Sequence, residues 1–194
     1  IGVTGVQTCA LPISFAPAPA TPWTDGWTNW DPINTSYPAA TVTVTGTITS
    51  NTTWTASNTY LISGLVYVAA GVTLTIEPGT VILGDATIAN SALVITKNAK
   101  LIAQGTISNP IVFTSSKAAG SRGVGDWGGL IILGRASLNR PGGVANIEGI
   151  AASSNTEYGG GASPNDDDNS GVLKYVRVEF GGYIFFTDQE INGV

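Results

Sequence analysis

The sequence contains no histidine and no methionine, and its only cysteine is Cys9. Without histidine, the 194 residues cannot contain a Ser-His-Asp triad, a histidine general acid or base, or a histidine-ligated zinc site. A single cysteine cannot form an internal disulfide. Because there is no methionine to start translation, we expect the sequence to be an internal fragment of a longer chain.

Charge is also scarce. Charged residues make up 11% of the chain, the net charge is −5, and no lysine or arginine precedes Lys97. Nucleic-acid binding is therefore not expected, because contacts to phosphates need clustered cations. No apolar run reaches the roughly 20 residues of a membrane-spanning helix, so no transmembrane segment is expected. The 25 glycines and 10 prolines are typical of a turn-rich β protein.

Residues 1–22 do not read as part of a folded domain. Residues 3–13, VTGVQTCALPI, resemble the translation of a common sequencing adapter. We therefore expect residues 1–13, with Cys9, not to belong to the natural protein. Residues 14–22 alternate alanine with proline, which predicts an extended linker.

Residues 60–114 form a series of short β-branched runs separated by glycine, asparagine and Pro-Gly turns. Val72, Leu74 and Ile76, for example, alternate with threonine and glutamate. This period of two places one apolar face inward and a threonine-rich face outward. No helical pattern is present, so the segment is predicted to be all-β.

A Gly-Thr pair recurs within this stretch, at Gly79-Thr80 and again at Gly105-Thr106. Each pair follows one apolar run and precedes another. Repeats of about 20–50 residues are the signature of solenoids. We therefore predict a parallel β-helix with its coils over residues 60–194.

An aromatic segment precedes the coils. Residues 23–37, WTDGWTNWDPINTSY, include Trp23, Trp27 and Trp30. Their flat faces suit sugar rings, and with Tyr158 they are the candidate ligand-binding residues. The alternative, which we favour, is a plug over the open end of the solenoid, because large aromatics bury much area and terminal coils need a cap.

Residues 41–55 alternate threonine with valine or isoleucine and predict an entry strand or hairpin, so residues 23–59 are interpreted as an N-terminal cap. Residues 135–171 are a long excursion with one β candidate, at 144–147. A loop of this length is expected to project from one face of the coils.

A metal site is suggested by Asp166, Asp168 and Ser170, which lie at alternating positions before Gly171 and match the opening of a calcium loop. The twelfth position of that loop is Arg177, where an EF-hand requires glutamate, and no flanking helices are predicted. An EF-hand is therefore excluded. A calcium site of another type, with Glu157 or Glu179 contributing, and a solvated acidic loop tip remain as interpretations, and we favour the second.

Several stretches together resemble a group of secreted or surface proteins of Bacteroidota and related bacteria. The stretches are WTNWDP, NTTWTASNTYLISGLVYV, GVTLTIEPGTVI, GDWGGLIILG, IEG and DNSGVLKYVRVEFGG. The resemblance covers roughly residues 23–194. It implies a right-handed parallel β-helix of the pectin-lyase-like superfamily and an extracellular or outer-surface location, but it implies no specific activity.

An enzymatic function is the competing hypothesis. A polysaccharide lyase of this superfamily needs a basic residue and calcium, which Lys174, Arg177 and the Asp166–Asp168 loop would supply. The alternative, which we favour, is that Arg177 and Glu179 form an ordinary exposed ion pair.

A glycoside hydrolase needs two carboxylates about 5–9.5 Å apart. The candidates are Glu148, Glu157, Glu179, Asp188 and Glu190, and their spacing in the sequence fixes no pair.

The sequence therefore favours a non-catalytic, surface-associated β-helix with a structural or glycan-binding role. A polysaccharide-degrading enzyme is the alternative, and a self-assembling surface layer is the third possibility. Calcium is the only candidate cofactor, and a polysaccharide is the candidate partner.

Overall fold

The computed structural model describes residues 22–186 and 189–190 of the chain. The expected adapter-derived stretch and all but the last residue of the expected linker lie outside these ranges. The described part contains no helix, and so none that is long and apolar enough to cross a membrane. It contains 17 β-strands, which in chain order are β1 Val42–Val44, β2 Thr47–Ile48, β3 Thr52–Trp54, β4 Thr59–Ile62, β5 Leu65–Val68, β6 Thr73–Ile76, β7 Val81–Gly84, β8 Ala92–Ile95, β9 Lys100–Gln104, β10 Ile111–Ser115, β11 Gly129–Ile132, β12 Ala145–Asn146, β13 Glu157–Tyr158, β14 Gly171–Lys174, β15 Val176–Val178, β16 Ile184–Phe186 and β17 Gln189–Glu190.

Thirteen of the strands form three parallel sheets. Sheet A has the order β1-β4-β7-β10-β15, sheet B the order β2-β5-β8-β11, and sheet C the order β3-β6-β9-β14. The chain visits sheets A, B and C in turn and then pairs each strand with the one a coil earlier. This is the predicted right-handed parallel β-helix, in agreement with the right-handed rule for parallel crossovers.

The core consists of inward-facing side chains stacked in columns along the solenoid. In sheet B, Val66, Leu93 and Leu130 are in register and fully buried. In sheet C, Leu74 and Leu101 are paired in the same way. The predicted period of two is confirmed in β5 and β6, where buried residues such as Val66 and Leu74 alternate with partly exposed ones.

A large aromatic side chain fills the core at one corner. Trp127 is fully buried, and its ring stacks on Phe113 with centroids 6.4 Å apart. Its indole Nε1 donates a hydrogen bond to the carbonyl of Glu179 at 2.9 Å. A β-carbon added to Gly84 would overlap this indole. Only glycine therefore leaves room for Trp127 beneath β7.

The Gly-Thr repeat marks equivalent corners but not the pairing register. Ile76 on β6 pairs with Ala103 on β9. Gly79 follows Ile76 by three residues, whereas Gly105 follows Ala103 by two. The Gly-Thr pairs therefore mark successive coils, as predicted, but they do not lie directly opposite each other in the strand pairing.

The coils begin earlier in the chain than the predicted range. Residues 42–54 form β1, β2 and β3, and each of these strands pairs in parallel with a strand of the next coil. They are the entry strands of a first coil and do not pair with one another as a hairpin. The cause is the spacing of their apolar residues, since Val42 and Ile48 fall in register with Tyr60 and Val68.

The long excursion at 135–171 leaves the solenoid at the corner between sheets B and C. Its short strand β12 lies within the predicted 144–147, and it pairs antiparallel with β13, which the sequence did not reveal. Lys97, at the same corner one coil earlier, binds Glu157 at 2.5 Å and fastens the hairpin to the solenoid. The excursion thus departs from one corner of the coils and is tied back to it.

Candidate functional site

Residues 22–40, which we call the N-terminal strap, lie along the outer face of sheet A. The carbonyl of Trp27 accepts a hydrogen bond from Arg177 Nη1 at 3.3 Å, beside β15. Further along the strap, Ile33 O accepts from Gly120 N at 2.8 Å. Residues 36–40 then border a cleft with Leu61 of β4 and Leu83 of β7. The strap therefore runs from the last coil back to the first.

This course differs from the expected plug over the end of the solenoid. The ring of Trp27 packs against Tyr175 in the last described coil, and the hydroxyl of Tyr37 binds Glu179 there. The ring of Tyr37 also lies against Arg122 at the side of the solenoid. The outer face of sheet A carries apolar side chains such as Leu83, only 7% exposed, and burying them is favourable. The strap covers part of this apolar face, since its residues 36–40 lie beside Leu61 and Leu83.

The strap is fixed to the last coil by Tyr37. Its hydroxyl donates to the carboxylate of Glu179, with both oxygens at 3.0 Å, and accepts from Arg177 Nη2 at 3.2 Å and from Asn29 Nδ2 at 3.3 Å. Burial, followed by the negative charge of Glu179, raises the pKa of Tyr37 above its usual range. The hydroxyl therefore keeps its proton and remains a donor.

Arg177 and Glu179 are not the exposed ion pair that the sequence allowed. Arg177 Nε lies 3.4 Å from Glu179 Oε1, and the two side chains are only 18% and 9% exposed. They share one strand face as predicted, but the strap covers that face. Sequence reasoning could not detect this cover, because Tyr37 is 142 positions away from Glu179.

A second anchor lies at Arg122, which is 8% exposed. Its Nε donates to the carbonyl of Lys117, and its Nη1 donates to the strap carbonyls of Pro32 and Thr35. The guanidinium also lies 4.9 Å from the ring centre of Tyr37. Arg122 therefore joins the loop after β10 to the strap.

These anchors hold three tryptophans at the edge of sheet A. Trp27 packs edge-on against Tyr175, with ring centroids 5.7 Å apart, and its own ring lies 5.9 Å from that of Trp23. Trp23 and Trp30 remain 78% and 64% exposed. The structure therefore brings the three predicted tryptophans onto one short, anchored segment, two of them open to solvent.

A groove lies between this segment and β15. We call it the aromatic groove; its volume is about 450 Å³, and it is lined by Trp27, Thr28, Asn29, Trp30, Pro32, Val176, Arg177, Val178, Glu179 and Phe180. Ligand pockets in proteins have volumes of about 300–1,000 Å³ and combine apolar walls with a few polar groups. The aromatic groove has both properties.

Tyr158 is not part of this groove. It lies on the β12–β13 hairpin, where it is paired with Ala145, at the corner between sheets B and C. The tryptophans lie against sheet A. The structure therefore separates Tyr158 from the other three candidate residues.

The predicted calcium residues close the long excursion. Asp166 Oδ1 accepts hydrogen bonds from the backbone N and the hydroxyl of Ser137, both at 2.7 Å, and these bonds lower the pKa of Asp166. Asp168 Oδ2 accepts from the backbone N of Arg135 at 2.9 Å. Ser170 contributes its carbonyl to the sheet, as acceptor for Leu101 N.

The other acidic residues proposed for the metal lie elsewhere, since Glu157 binds Lys97 and Glu179 binds Tyr37. Among residues 22–186 and 189–190, no three acidic, histidine or cysteine side chains are grouped so as to hold a metal ion. The structure thus gives Asp166 and Asp168 a role in shaping the loop, and calcium binding stays a prediction.

The carboxylates considered for glycoside hydrolysis are not assembled either. Glu157 and Glu179 are in ion pairs on different faces, and Glu148 is exposed on the excursion. Asp188 and the side chain of Glu190 lie outside the described residues. The described structure therefore offers no pair of facing carboxylates across the aromatic groove.

One further charged group is buried beneath the loop after β10. Asp126, whose side chain is 4% exposed, accepts hydrogen bonds from Lys117 Nζ at 2.6 Å, Ser115 Oγ at 2.6 Å and Gly123 N at 3.0 Å. Burial alone would raise the pKa of Asp126, but these hydrogen bonds and the charge of Lys117 together lower it. Asp126 thus organises this loop as an ionised carboxylate.

Comparison with known protein families gives a match that covers most of the chain. Residues 46–194, well over half of the chain, match the family model described as "Pectate-lyase like beta helix domain". No curated protein and no solved structure matched the chain. The matched range begins within the first coil and includes every coil after it.

Proposed function

The chain belongs to the family of pectate-lyase-like β-helix domains, and we propose that it is a non-catalytic glycan-binding module of a secreted or cell-surface protein. The observation that carries the proposal is the aromatic groove with its exposed tryptophans. The groove lies at the edge of sheet A and is open to solvent, so an extended polymer can reach it.

The exposure of Trp23 and Trp30 is the first support. Burying a large apolar side chain stabilises a fold by roughly 1.5–3 kcal/mol, and neither ring is buried. Both belong to a segment held by internal hydrogen bonds, such as Trp27 Nε1 to Trp23 O at 3.1 Å. Exposed apolar surface on an anchored segment marks interaction sites, and flat aromatic faces suit sugar rings.

The state of the charged groups is the second support. Arg177, a candidate base of a lyase, donates to Trp27 O and Tyr37 and is paired with Glu179. A base must reach the proton that it abstracts. In this arrangement Arg177 serves to hold the strap, which favours binding without cleavage.

Binding can be tested by affinity electrophoresis and calorimetry of the full chain with a panel of neutral and uronic-acid polysaccharides. We expect the Trp23→Ala/Trp30→Ala double variant to bind its glycan at least about tenfold more weakly, since aromatic residues dominate binding energies. Val124→Ala is the control, because Val124 is 90% exposed on another loop. Equal affinity of the double variant and the original chain would refute the aromatic site.

The rival function is polysaccharide cleavage, which the description of the matching family favours. The same panel is incubated with calcium or with a chelator, and the products are analysed by mass spectrometry. Unchanged polymers are the expected result. Unsaturated oligosaccharides that appear only with calcium would establish a lyase instead, and Asp166 would then be the first residue to replace.

A further inference from the structure

We infer that the aromatic groove selects neutral glycans and discriminates against uronic-acid glycans. This inference rests on the proposed glycan-binding function and names the class of glycan. The family description refers to pectate, which is an acidic polymer, whereas the ligand inferred here is uncharged. Its basis is the set of charges in and around the groove and the partners that those charges already have.

The two charged residues that line the groove balance each other. Arg177 Nε lies 3.4 Å from Glu179 Oε1, and Arg177 also donates from Nη1 to Trp27 O and from Nη2 to the hydroxyl of Tyr37. A ligand carboxylate that enters a groove must replace its water with hydrogen bonds or a cation. Because the positive charge of Arg177 is already neutralised by Glu179, the lining of the groove has no net positive charge for a uronate.

The exposed charges on the strap are of the wrong sign for a polyuronate. Asp25 and Asp31 are both exposed and flank Trp27 and Trp30 in the sequence. The carboxylate of Asp31 accepts hydrogen bonds from Asn34 Nδ2 at 2.8 and 3.1 Å, which fix it in place. Each uronate of a passing polymer would meet like charge here, which is unfavourable.

Two cations in the neighbourhood of the groove, Lys174 and Arg122, contact other groups. Lys174 Nζ lies 5.5 Å from the ring centre of Tyr175, on which Trp27 packs, and Lys174 is not a lining residue. Arg122 is buried and donates to strap carbonyls. Neither Lys174 nor Arg122 therefore lies in the groove wall as the structure describes it.

What the groove does present suits uncharged sugars. The indole rings offer apolar faces, and the Nε1 atoms of Trp23 and Trp30 make no hydrogen bond within the described part of the chain. Sugar hydroxyls can accept from these groups without any charge being desolvated. A neutral chain therefore binds at a lower desolvation cost than a uronate chain of the same length.

The test compares dissociation constants of the full chain for cellohexaose, xylohexaose and mannohexaose with that for hexagalacturonate, at low and high salt. We expect at least one neutral hexasaccharide to bind about tenfold or more tightly than hexagalacturonate, with little effect of salt. In the double variant Asp25→Lys/Asp31→Lys, hexagalacturonate should bind more tightly at low salt only. The ratio of the dissociation constants for hexagalacturonate and the neutral hexasaccharide should therefore fall. Asp167→Lys, an exposed change on the long excursion, is the control and should leave the ratio unchanged.

Three results would count against the inference, and they are distinguishable. Tighter binding of hexagalacturonate that is lost in Trp30→Ala would overturn the selectivity and leave the glycan-binding function in place. An unchanged ratio in the double lysine variant would show that the carboxylates of the strap do not discriminate. Failure to bind any of the four oligosaccharides would overturn the proposed function itself.

Discussion

The hydroxyl of Tyr37 donates to the carboxylate of Glu179, with both oxygens at 3.0 Å, across 142 positions of the chain. The contact joins the N-terminal strap to the last coil of the solenoid. It also leaves Glu179 only 9% exposed. The strap and the last coil are therefore expected to depend on each other for stability.

Replacing Tyr37 with phenylalanine removes this donor and keeps the ring. We expect the free energy of unfolding to fall by about 1–3 kcal/mol, because a buried carboxylate loses a hydrogen bond. The measurement is denaturant unfolding followed by tryptophan fluorescence. Tyr67→Phe is the control, since Tyr67 is half-buried on sheet B and its hydroxyl makes no hydrogen bond within residues 22–186 and 189–190. Equal losses in the two variants would contradict the role of the Glu179 contact.

The fit between Gly84 and Trp127 gives a second prediction. In Gly84→Ala the new methyl group overlaps the buried indole, and overpacking of this kind costs about 1–3 kcal/mol or more. Gly123→Ala is the control, because a β-carbon there has no neighbour within 4 Å. We expect thermal unfolding to show a clear loss for the first variant and almost none for the second.

A smaller ring at position 127 tests whether overlap with the indole is the reason that Gly84→Ala destabilises the fold. Trp127→Phe alone should destabilise the fold, but the Gly84→Ala change should cost less in that background than in the original chain. Additive effects of the two substitutions would mean that the indole does not set the requirement for glycine.

Stability is expected to fall in acid partly because of Asp126. Its pKa is lowered in the folded state, so its contribution is complete above the unfolded-state pKa, about 3.9 for aspartate. The contribution is lost as the pH falls through the lower folded-state pKa. Asp126→Asn should therefore be less stable at neutral pH and lose less stability as the pH falls below about 4.

The comparison is made by measuring unfolding free energies across that pH range. Asp167→Asn is the matched control, because Asp167 is exposed and its carboxylate makes no hydrogen bond in the described part of the chain. An acid decline as steep in Asp126→Asn as in the original chain would show that other groups are responsible.

The fold was readable from the sequence because its main determinant is local. In a solenoid, every coil repeats the same apolar alternation, so Val72, Leu74 and Ile76 show the inward face without knowledge of the rest of the chain. The register was harder to predict, since it depends on the length of each corner. One residue more after Ile76 than after Ala103 was enough to shift the Gly-Thr repeat.

The candidate site was readable only in part. Three neighbouring tryptophans were visible as a cluster, but their location depends on Tyr37 meeting Arg177 and Glu179, which lie far away in the sequence. The acidic run at Asp166 has the spacing of a metal-binding loop, but its carboxylates accept backbone hydrogen bonds that close the excursion. Carboxylates at this spacing can serve either purpose. Spacing alone does not distinguish these uses.

The long excursion sets the order in which the molecule can assemble. Leu74 pairs with Thr52 in the coil just before it, whereas Gly171 pairs with Leu101 across the whole excursion. Closing the longer loop costs about 1 kcal/mol more in chain entropy, and non-local pairing slows folding. The early coils are thus expected to form first and to template the last one. Because the strap needs Glu179 in place before Tyr37 can bind it, we expect the strap to dock after β15 has joined sheet A. The aromatic groove, which is lined by β15 and the strap, then forms only at that late step.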